Sequence, residues 1–297
     1  MTKSLIAVAA LLLAPLAWGG DEGQVDKRAP ADPQGEVEVS NVAGNVSISG
    51  WDRNEVQVTG TLGEDVERLD FISEPKRTII RVKHKETQRR HGDTDAELAI
   101  RVPSASRLNV STVSAEISIT HVTGEQRLQS VSGDVSSEIA GEDVEAKTVS
   151  GNVVLRGEGK AAVVTVTTVS GDAQVRRAAG ELSANSVSGS LNLDLDSITR
   201  ARVRTTSGDL QLEGPLARDA RVDAETISGE LVLDFKKPIN AEFEIESFTG
   251  DIQNCFGPKA QPKSEYGPGS ELNFKEGAGS ARVIAQSMSG DIQLCGR

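Results

Sequence analysis

From Thr148 to Leu193 the chain reads TVSGNVVLRGEGKAAVVTVTTVSGDAQVRRAAGELSANSVSGSLNL, and one pentapeptide returns in it at Thr148, Thr168 and Ser186. The phrase runs outward in both directions. It is Thr-Val-Ser-Ala-Glu at Thr112, Ser-Val-Ser-Gly-Asp at Ser130, Thr-Thr-Ser-Gly-Asp at Thr205 and Thr-Ile-Ser-Gly-Glu at Thr226. Ser-Phe-Thr-Gly-Asp follows at Ser247 and Ser-Met-Ser-Gly-Asp at Ser287. Successive copies lie 18, 18, 20, 18, 19, 21, 21 and 40 residues apart, and an earlier copy, Asn-Val-Ala-Gly-Asn, starts at Asn41. A near-constant period of this length marks a repeat architecture whose unit is one supersecondary element.

Two and four residues after the glycine the side chains are mostly apolar, as in Leu191 and Leu193, Leu210 and Leu212, Leu231 and Leu233. Five and seven residues before it the pattern recurs, as in Val164 and Val166, Phe243 and Ile245, Val283 and Ala285. Alternation with period two marks strands with one buried face. The residue two before the glycine is apolar too (Val131, Val149, Val169, Val187, Ile227, Phe248, Met288), which breaks the phase and places a corner between two strands. A unit this short cannot bury its apolar face alone, whereas rungs stacked about 4.8 Å apart make a continuous core. The predicted fold is therefore an all-β, single-domain parallel β-solenoid with rungs of 18–21 residues. Parallel crossovers favour a right-handed coil.

The corner residues are Ser132, Gly133 and Asp134, then Ser150, Gly151 and Asn152, then Ser170, Gly171 and Asp172. Ser188 and Gly189, Ser207, Gly208 and Asp209, and Ser228, Gly229 and Glu230 follow, then Gly250 and Asp251, and Ser289, Gly290 and Asp291. They read as a structural turn ladder, because Gly accepts dihedrals that other residues resist and Ser or Asp bonds to nearby backbone. Stacked carboxylates would welcome a hard cation such as Ca²⁺. Asn152 and Ser190 interrupt the acidic column, however, and no metal or cofactor is expected. The hydroxyls of Ser130, Thr148, Thr168, Ser186, Thr205, Thr226 and Ser247 are expected to form an outer ladder, giving a long, polar, hydroxyl-rich surface.

The N-terminus predicts export. Lys3 precedes an apolar run from Leu5 to Leu13, and the small residues Ala17, Gly19 and Gly20 place cleavage near Gly19 or Gly20. The expected organisation is a signal peptide over 1–20, a linker over 21–35 and the solenoid over 36–297. Within the solenoid, irregular rungs span 36–103, regular rungs 104–255, an insertion 256–280 and a last rung 281–297. No later stretch is apolar enough for a transmembrane segment, so a periplasmic or cell-envelope location follows. A net charge of −12 disfavours nucleic acid as a partner. The basic run Arg81, Lys83, Lys85, Arg89, Arg90 and His91 reads as a solvated excursion.

Only two cysteines exist, Cys255 and Cys295, each five residues after a motif glycine and so in one column of the stack. In an oxidising compartment they are expected to form a disulfide, with Pro258 to Gly269 looping out. A degenerate rung at Ser270 to Phe274 would instead hold them about 10 Å apart, beyond bridging range. The last strand ends almost at Arg297, so either an open edge invites self-association or the insertion folds over it.

The Ser-Gly-Asp rungs, Gly50-Trp51-Asp52-Arg53, Val102-Pro103 and Asn254-Cys255-Phe256-Gly257-Pro258 resemble a bacterial β-strand-repeat family labelled "putative adhesin", domain of unknown function 4097. The resemblance spans about Glu36 to Arg297 and implies interaction at the surface or envelope. It brings no catalytic residues. Glycan-cleaving sites need paired carboxylates in a groove, and no acidic pair stands outside the repeat. His84, His91 and His121 lack ligand or triad spacing. The expected function is a non-catalytic envelope interaction or scaffold module for an envelope protein or polysaccharide. A carbohydrate-active or carbohydrate-binding β-helix is the alternative, as is self-assembly through the C-terminal edge.

Overall fold

A computed structural model describes residues 23–85, 94–264 and 268–296. The signal-peptide residues and Arg89, Arg90 and His91 lie outside the described residues. No described residue is helical, and the strands follow one another along the chain. The first seven are β1 (Gln24–Pro30), β2 (Glu36–Asn41), β3 (Ala43–Trp51), β4 (Glu55–Leu62), β5 (Val66–Glu74), β6 (Arg77–His84) and β7 (Asp95–Pro103). Next come β8 (Arg107–Thr112), β9 (Glu116–Thr120), β10 (Gln126–Ser130), β11 (Val135–Ile139), β12 (Val144–Thr148) and β13 (Val153–Gly157). Then follow β14 (Ala161–Thr167), β15 (Ala173–Ser186), β16 (Leu191–Thr205), β17 (Leu210–Gly214), β18 (Leu216–Thr226) and β19 (Leu231–Phe235). The chain closes with β20 (Ala241–Ser247), β21 (Ile252–Asn254), β22 (Gln261–Pro262), β23 (Ser270–Glu276), β24 (Ala281–Ser287) and β25 (Ile292–Gly296).

The strands stack in parallel on two faces, as a β-solenoid requires. On one face Val110 pairs with Leu128, Leu128 with Ala146, Ala146 with Val166, Val166 with Ala184, Ala184 with Val203 and Val203 with Ala224. On the other, Ile117, Val135, Val153, Ala173, Leu191, Leu210 and Leu231 form the matching column. All of these side chains are buried. Like residue sits on like, so each apolar position extends one continuous core.

The stack departs from chain order at both ends. Strand β24 lies between β18 and β20, parallel to both, and β25 lies between β19 and β21. The last rung is therefore internal, and the rung of β20 and β21 ends the stack. At the other end, β2 lies between β6 and β8 and β3 between β7 and β9, so the first rung is internal as well.

Both displacements change which charges meet on the outer face. The registers make Arg221 equivalent to Glu242, so direct stacking of β18 on β20 would set Asp223 beside Glu244 and Glu225 beside Glu246. Like charges directly opposite destabilise a sheet by about 0.2–1 kcal/mol per pair. The inserted strand puts Ile284 and Gln286 between these acids, and Arg282 pairs with Glu244 at 2.7 Å although it also lies beside Arg221. At the N-terminal end Glu36 separates Arg77 from Arg107 in the same way.

Antiparallel strands cover the ends. Strand β5 pairs with β6, β4 with β7 and β1 with β4, while β23 pairs with β20 and β22 with β23. Several expectations change accordingly. The stretch expected to be a linker contains β1, and Ser270 to Phe274 is an antiparallel edge strand rather than a degenerate rung. The expected loop Pro258 to Gly269 contains the short strand β22. Among the described residues the C-terminal rung is not open, because β24 lies between β18 and β20 and β25 between β19 and β21. The insertion does fold over an end, but the rung it covers is that of β20. Phe243 stacks on Phe274 at 4.7 Å and meets Phe256 at 5.8 Å, closing the core there.

Candidate ridge and cleft

Each corner is built by its hydroxyl, glycine and acid. The first residue of the motif is buried, against the expectation of an outer ladder: Ser130, Thr148, Thr168, Ser186, Thr205, Thr226 and Ser247 are all between 1% and 7% exposed. Its hydroxyl accepts from the glycine N–H three residues on, as in Gly171 to Thr168 (3.0 Å), Gly208 to Thr205 (3.0 Å) and Gly290 to Ser287 (2.7 Å). This satisfies a donor that the strand ladder leaves free at the bend. Thr226 is different. Its Oγ1 is buried without a hydrogen-bond partner.

The glycine is required for close approach more than for its dihedrals. A Cβ on Gly171 would lie 1.9 Å from the carbonyl oxygen of Gly151, and one on Gly189 as near that of Gly171. The next column carries the exposed hydroxyls: Ser188 Oγ donates to the Val169 carbonyl (3.2 Å) and Ser207 Oγ to that of Val187 (3.2 Å). Ser170, Ser228 and Thr249 make the same bond. The acidic column serves the backbone. Asp134 accepts from Asn152 N–H (2.7 Å), Asp172 from Ser190 N–H (2.8 Å), Asp209 from Glu230 N–H (3.0 Å) and Asp291 from Asp251 N–H (2.9 Å). Among the described residues no cluster of three or more His, Cys, Asp or Glu is placed to hold a metal.

The column that marked the corner in the sequence points outward. Val42, Val113, Val131, Val149, Val169, Val187, Ile227, Met288 and Phe248 are each 38–60% exposed. Their carbonyls accept from the serine N–H groups of successive rungs in that order, with Thr206 between Val187 and Ile227 and the Thr249 N–H as donor to Met288. The result is an apolar ridge of roughly 40 Å at the usual rung spacing, whose side chains grow from Val to Ile, Met and Phe toward one end. Contiguous exposed apolar surface on this scale marks an interaction site more often than isolated exposed residues do.

At its larger end the ridge borders a cleft of about 590 Å³. Thr206, Ile227, Met288 and Phe248 form one wall and Asn185, Arg204, Glu225, Gln286 and Glu246 the other, over a floor of Ser186, Thr205, Thr226, Ser287 and Ser247. Arg204 pairs with Glu225 at 2.9 Å, and Lys263, carried by the insertion, with Glu246 at 2.9 Å. Hydrogen bonding to those carboxylates raises both basic groups above their ordinary values. A second cleft of about 560 Å³, nearer the N-terminus, is lined by Asp32, Lys76, Arg107, Glu125 and Glu142 among others and is more polar.

The cysteines are joined: Cys255 and Cys295 form a disulfide with their Cα atoms 4.9 Å apart, fastening the inserted rung to its neighbour. Of the basic run, Arg81 pairs with Glu38 at 3.3 Å and Lys85 donates to the Glu64 carbonyl. His84 is half-buried. Trp51 donates to the Glu55 carbonyl at 2.8 Å, with Arg53 and Arg101 5.2 and 5.7 Å from its ring centre. Sequence reasoning missed the ridge as a surface. The signal was available, since counting by two from Val164 and Val166 puts Thr168 inside and Val169 outside.

Residues 35–254 match the family model described as Toastrack DUF4097. Among solved structures, a "putative lipid binding protein" from Parabacteroides distasonis aligns at 14% identity and TM-score 0.53, covering 93% of this chain and 98% of that one. "Putative adhesins" from Parabacteroides merdae (10% identity, TM-score 0.47, 93% and 97% covered) and Bacteroides fragilis (10%, 0.45, 92% and 98%) are also similar. No curated protein matches the sequence.

Proposed function

The chain belongs to the Toastrack DUF4097 family, and from that membership we propose that it is an exported, non-catalytic, adhesin-like interaction module of the cell envelope. Its apolar ridge docks on an apolar face of a partner protein. The observation that carries this reading is the ridge itself: the repeat places an apolar side chain outside in nearly every rung, where rung formation does not need one. The core, hydroxyl and glycine columns each have a structural use, and this column has none. The apolar character favours a protein over a polysaccharide, since sugar recognition calls for exposed polar pairs and aromatic faces.

Export is supported by the N-terminal Lys3, Leu5 to Leu13 and Gly19 or Gly20 pattern, and a disulfide suits an oxidising compartment. We read residues 1–20 as signal peptide and 36–297 as one solenoid domain with rungs of 18–21 residues. Its right-handedness follows the general preference of parallel crossovers.

A photo-crosslinking residue at Met288, on the ridge, tests the function in intact cells, with the same residue at the outward-facing Gln211 as control. A discrete protein adduct from position 288 and none from 211 is expected. Equal labelling from both positions, or none from either, contradicts the reading.

A second reading has its own support in the cleft, whose apolar wall and volume of about 590 Å³ suit an acyl chain. A similar structure is described as a "putative lipid binding protein". Native mass spectrometry of the protein isolated from membranes tests it. A bound lipid lost on Met288→Ser supports the reading, and lipid-free protein counts against it.

A further inference from the structure

We propose that the rung of β24 and β25 exchanges between two copies of this chain, each copy filling the slot between β18 and β20 of the other. The slot exists because the rung that fills it comes from elsewhere in the chain. Thr226 pairs with Ser287, which pairs in turn with Ser247, although 226 and 247 belong to consecutive rungs. Any segment that reaches the slot in this register makes the same bonds, whichever chain supplies it.

The slot selects its occupant by charge. Arg221, Asp223 and Glu225 stand on one wall and Glu242, Glu244 and Glu246 on the other, all on the outer face, five of the six being acidic. The entering strand must place neutral or basic groups between them and alternate small apolar residues inward. The stretch Ala281–Ser287 does both, with Arg282, Ile284 and Gln286 outward and Ala281, Val283 and Ala285 buried. The partner that fits is therefore a second copy of the same rung.

The tether permits the exchange. Between β23 and β24 the chain crosses the end of β20 through Gly277 to Ser280, with Gly277 and Gly279 at φ +60° and +63°. Asn240 holds the crossing through a bond from the Ala278 N–H to its Oδ1 (3.1 Å) and one from the Ala281 N–H to its carbonyl (3.0 Å). A short hinge beside an element held entirely by non-sequential pairing is the arrangement from which identical elements swap at little cost. In the swapped pair, Cys295 of one copy lies beside Cys255 of the other.

That geometry supplies the test. Full-length mature Cys255→Ser and Cys295→Ser chains are unfolded, mixed and refolded in a glutathione buffer. The remaining thiols, Cys295 of one chain and Cys255 of the other, form one disulfide as oxidised glutathione accepts two electrons and two protons and leaves as two reduced molecules. A covalent dimer on a non-reducing gel is expected, its tryptic peptides joining Cys255 to Cys295, in the mixture and not in either variant alone. Refolding of an equal mixture of ¹⁵N-labelled and unlabelled wild-type chains keeps the reading independent of those variants. Exchange yields disulfide peptides with one labelled and one unlabelled half. Only same-isotope disulfide peptides, with the far-UV spectrum of the native protein recovered, would overturn the proposal.

Discussion

Thr226 lies directly beside Ser287 in the parallel ladder, 61 residues further along the chain, and this pairing sets the order of the last three rungs. It puts Met288 between Ile227 and Phe248 on the ridge, Gln286 between Glu225 and Glu246 on the cleft wall, and Cys295 within disulfide reach of Cys255. The widest part of the candidate surface thus depends on a rung taken out of sequence.

Gln286 should report the charge argument with opposite signs. Gln286→Glu adds a third carboxylate to a column that already holds Glu225 and Glu246 and is expected to destabilise the fold by about 1 kcal/mol. Gln286→Lys should be neutral or stabilising by a similar amount. Urea unfolding followed by circular dichroism compares the two, and raising the salt should shrink both effects.

The corner glycines that stack on one another should tolerate a side chain poorly, although Ala115 holds the equivalent place in the rung below Gly133. Gly171→Ala drives a methyl group to within 1.9 Å of the Gly151 carbonyl oxygen, so rungs must part locally, with an expected loss of about 3 kcal/mol. Asp172→Ala removes one exposed hydrogen bond to the Ser190 N–H and should cost about 0.5–1 kcal/mol. Equal losses from the two changes would argue against the close stacking of the corners.

The buried hydroxyls offer an internal contrast. Thr168→Val strands the Gly171 N–H without its acceptor and is expected to cost about 1–2 kcal/mol. Thr226→Val removes an oxygen that bonds to nothing and should be neutral or slightly stabilising. Thermal melts of the two variants distinguish the roles.

Much of this was legible in the chain, and the reasons for the rest are physical. The spacing of the Ser-Gly-Asp copies carried the stacked architecture, and the common offset of Cys255 and Cys295 carried their pairing. The burial of Thr168 is there too, in the alternation from Val164 and Val166, but the Gly171 N–H that gives its hydroxyl a reason to be inside lies in the fold of the corner and not in the pattern. Rung order was harder. Repeats suggest sequential stacking, whereas β24 intervenes between β18 and β20. Strands β1, β5 and β23 carry no motif because they run antiparallel and cover edges, so a repeat-based reading passes over them.

Rung order is tested most directly by engineered disulfides on the outer face, in chains with Cys255 and Cys295 replaced by Ser. Val232 lies beside Gln293, and Gln293 beside Gln253, so Val232 and Gln253 are two rungs apart. Adjacent parallel strands bring Cα atoms to about 4.8 Å, within disulfide range, and two steps exceed it. In the monomeric fraction, oxidation should link the Val232→Cys, Gln293→Cys pair and leave the Val232→Cys, Gln253→Cys pair as free thiols. Rapid linking of 232 to 253, with none of 232 to 293, would show that the rungs stack in chain order and contradict the account.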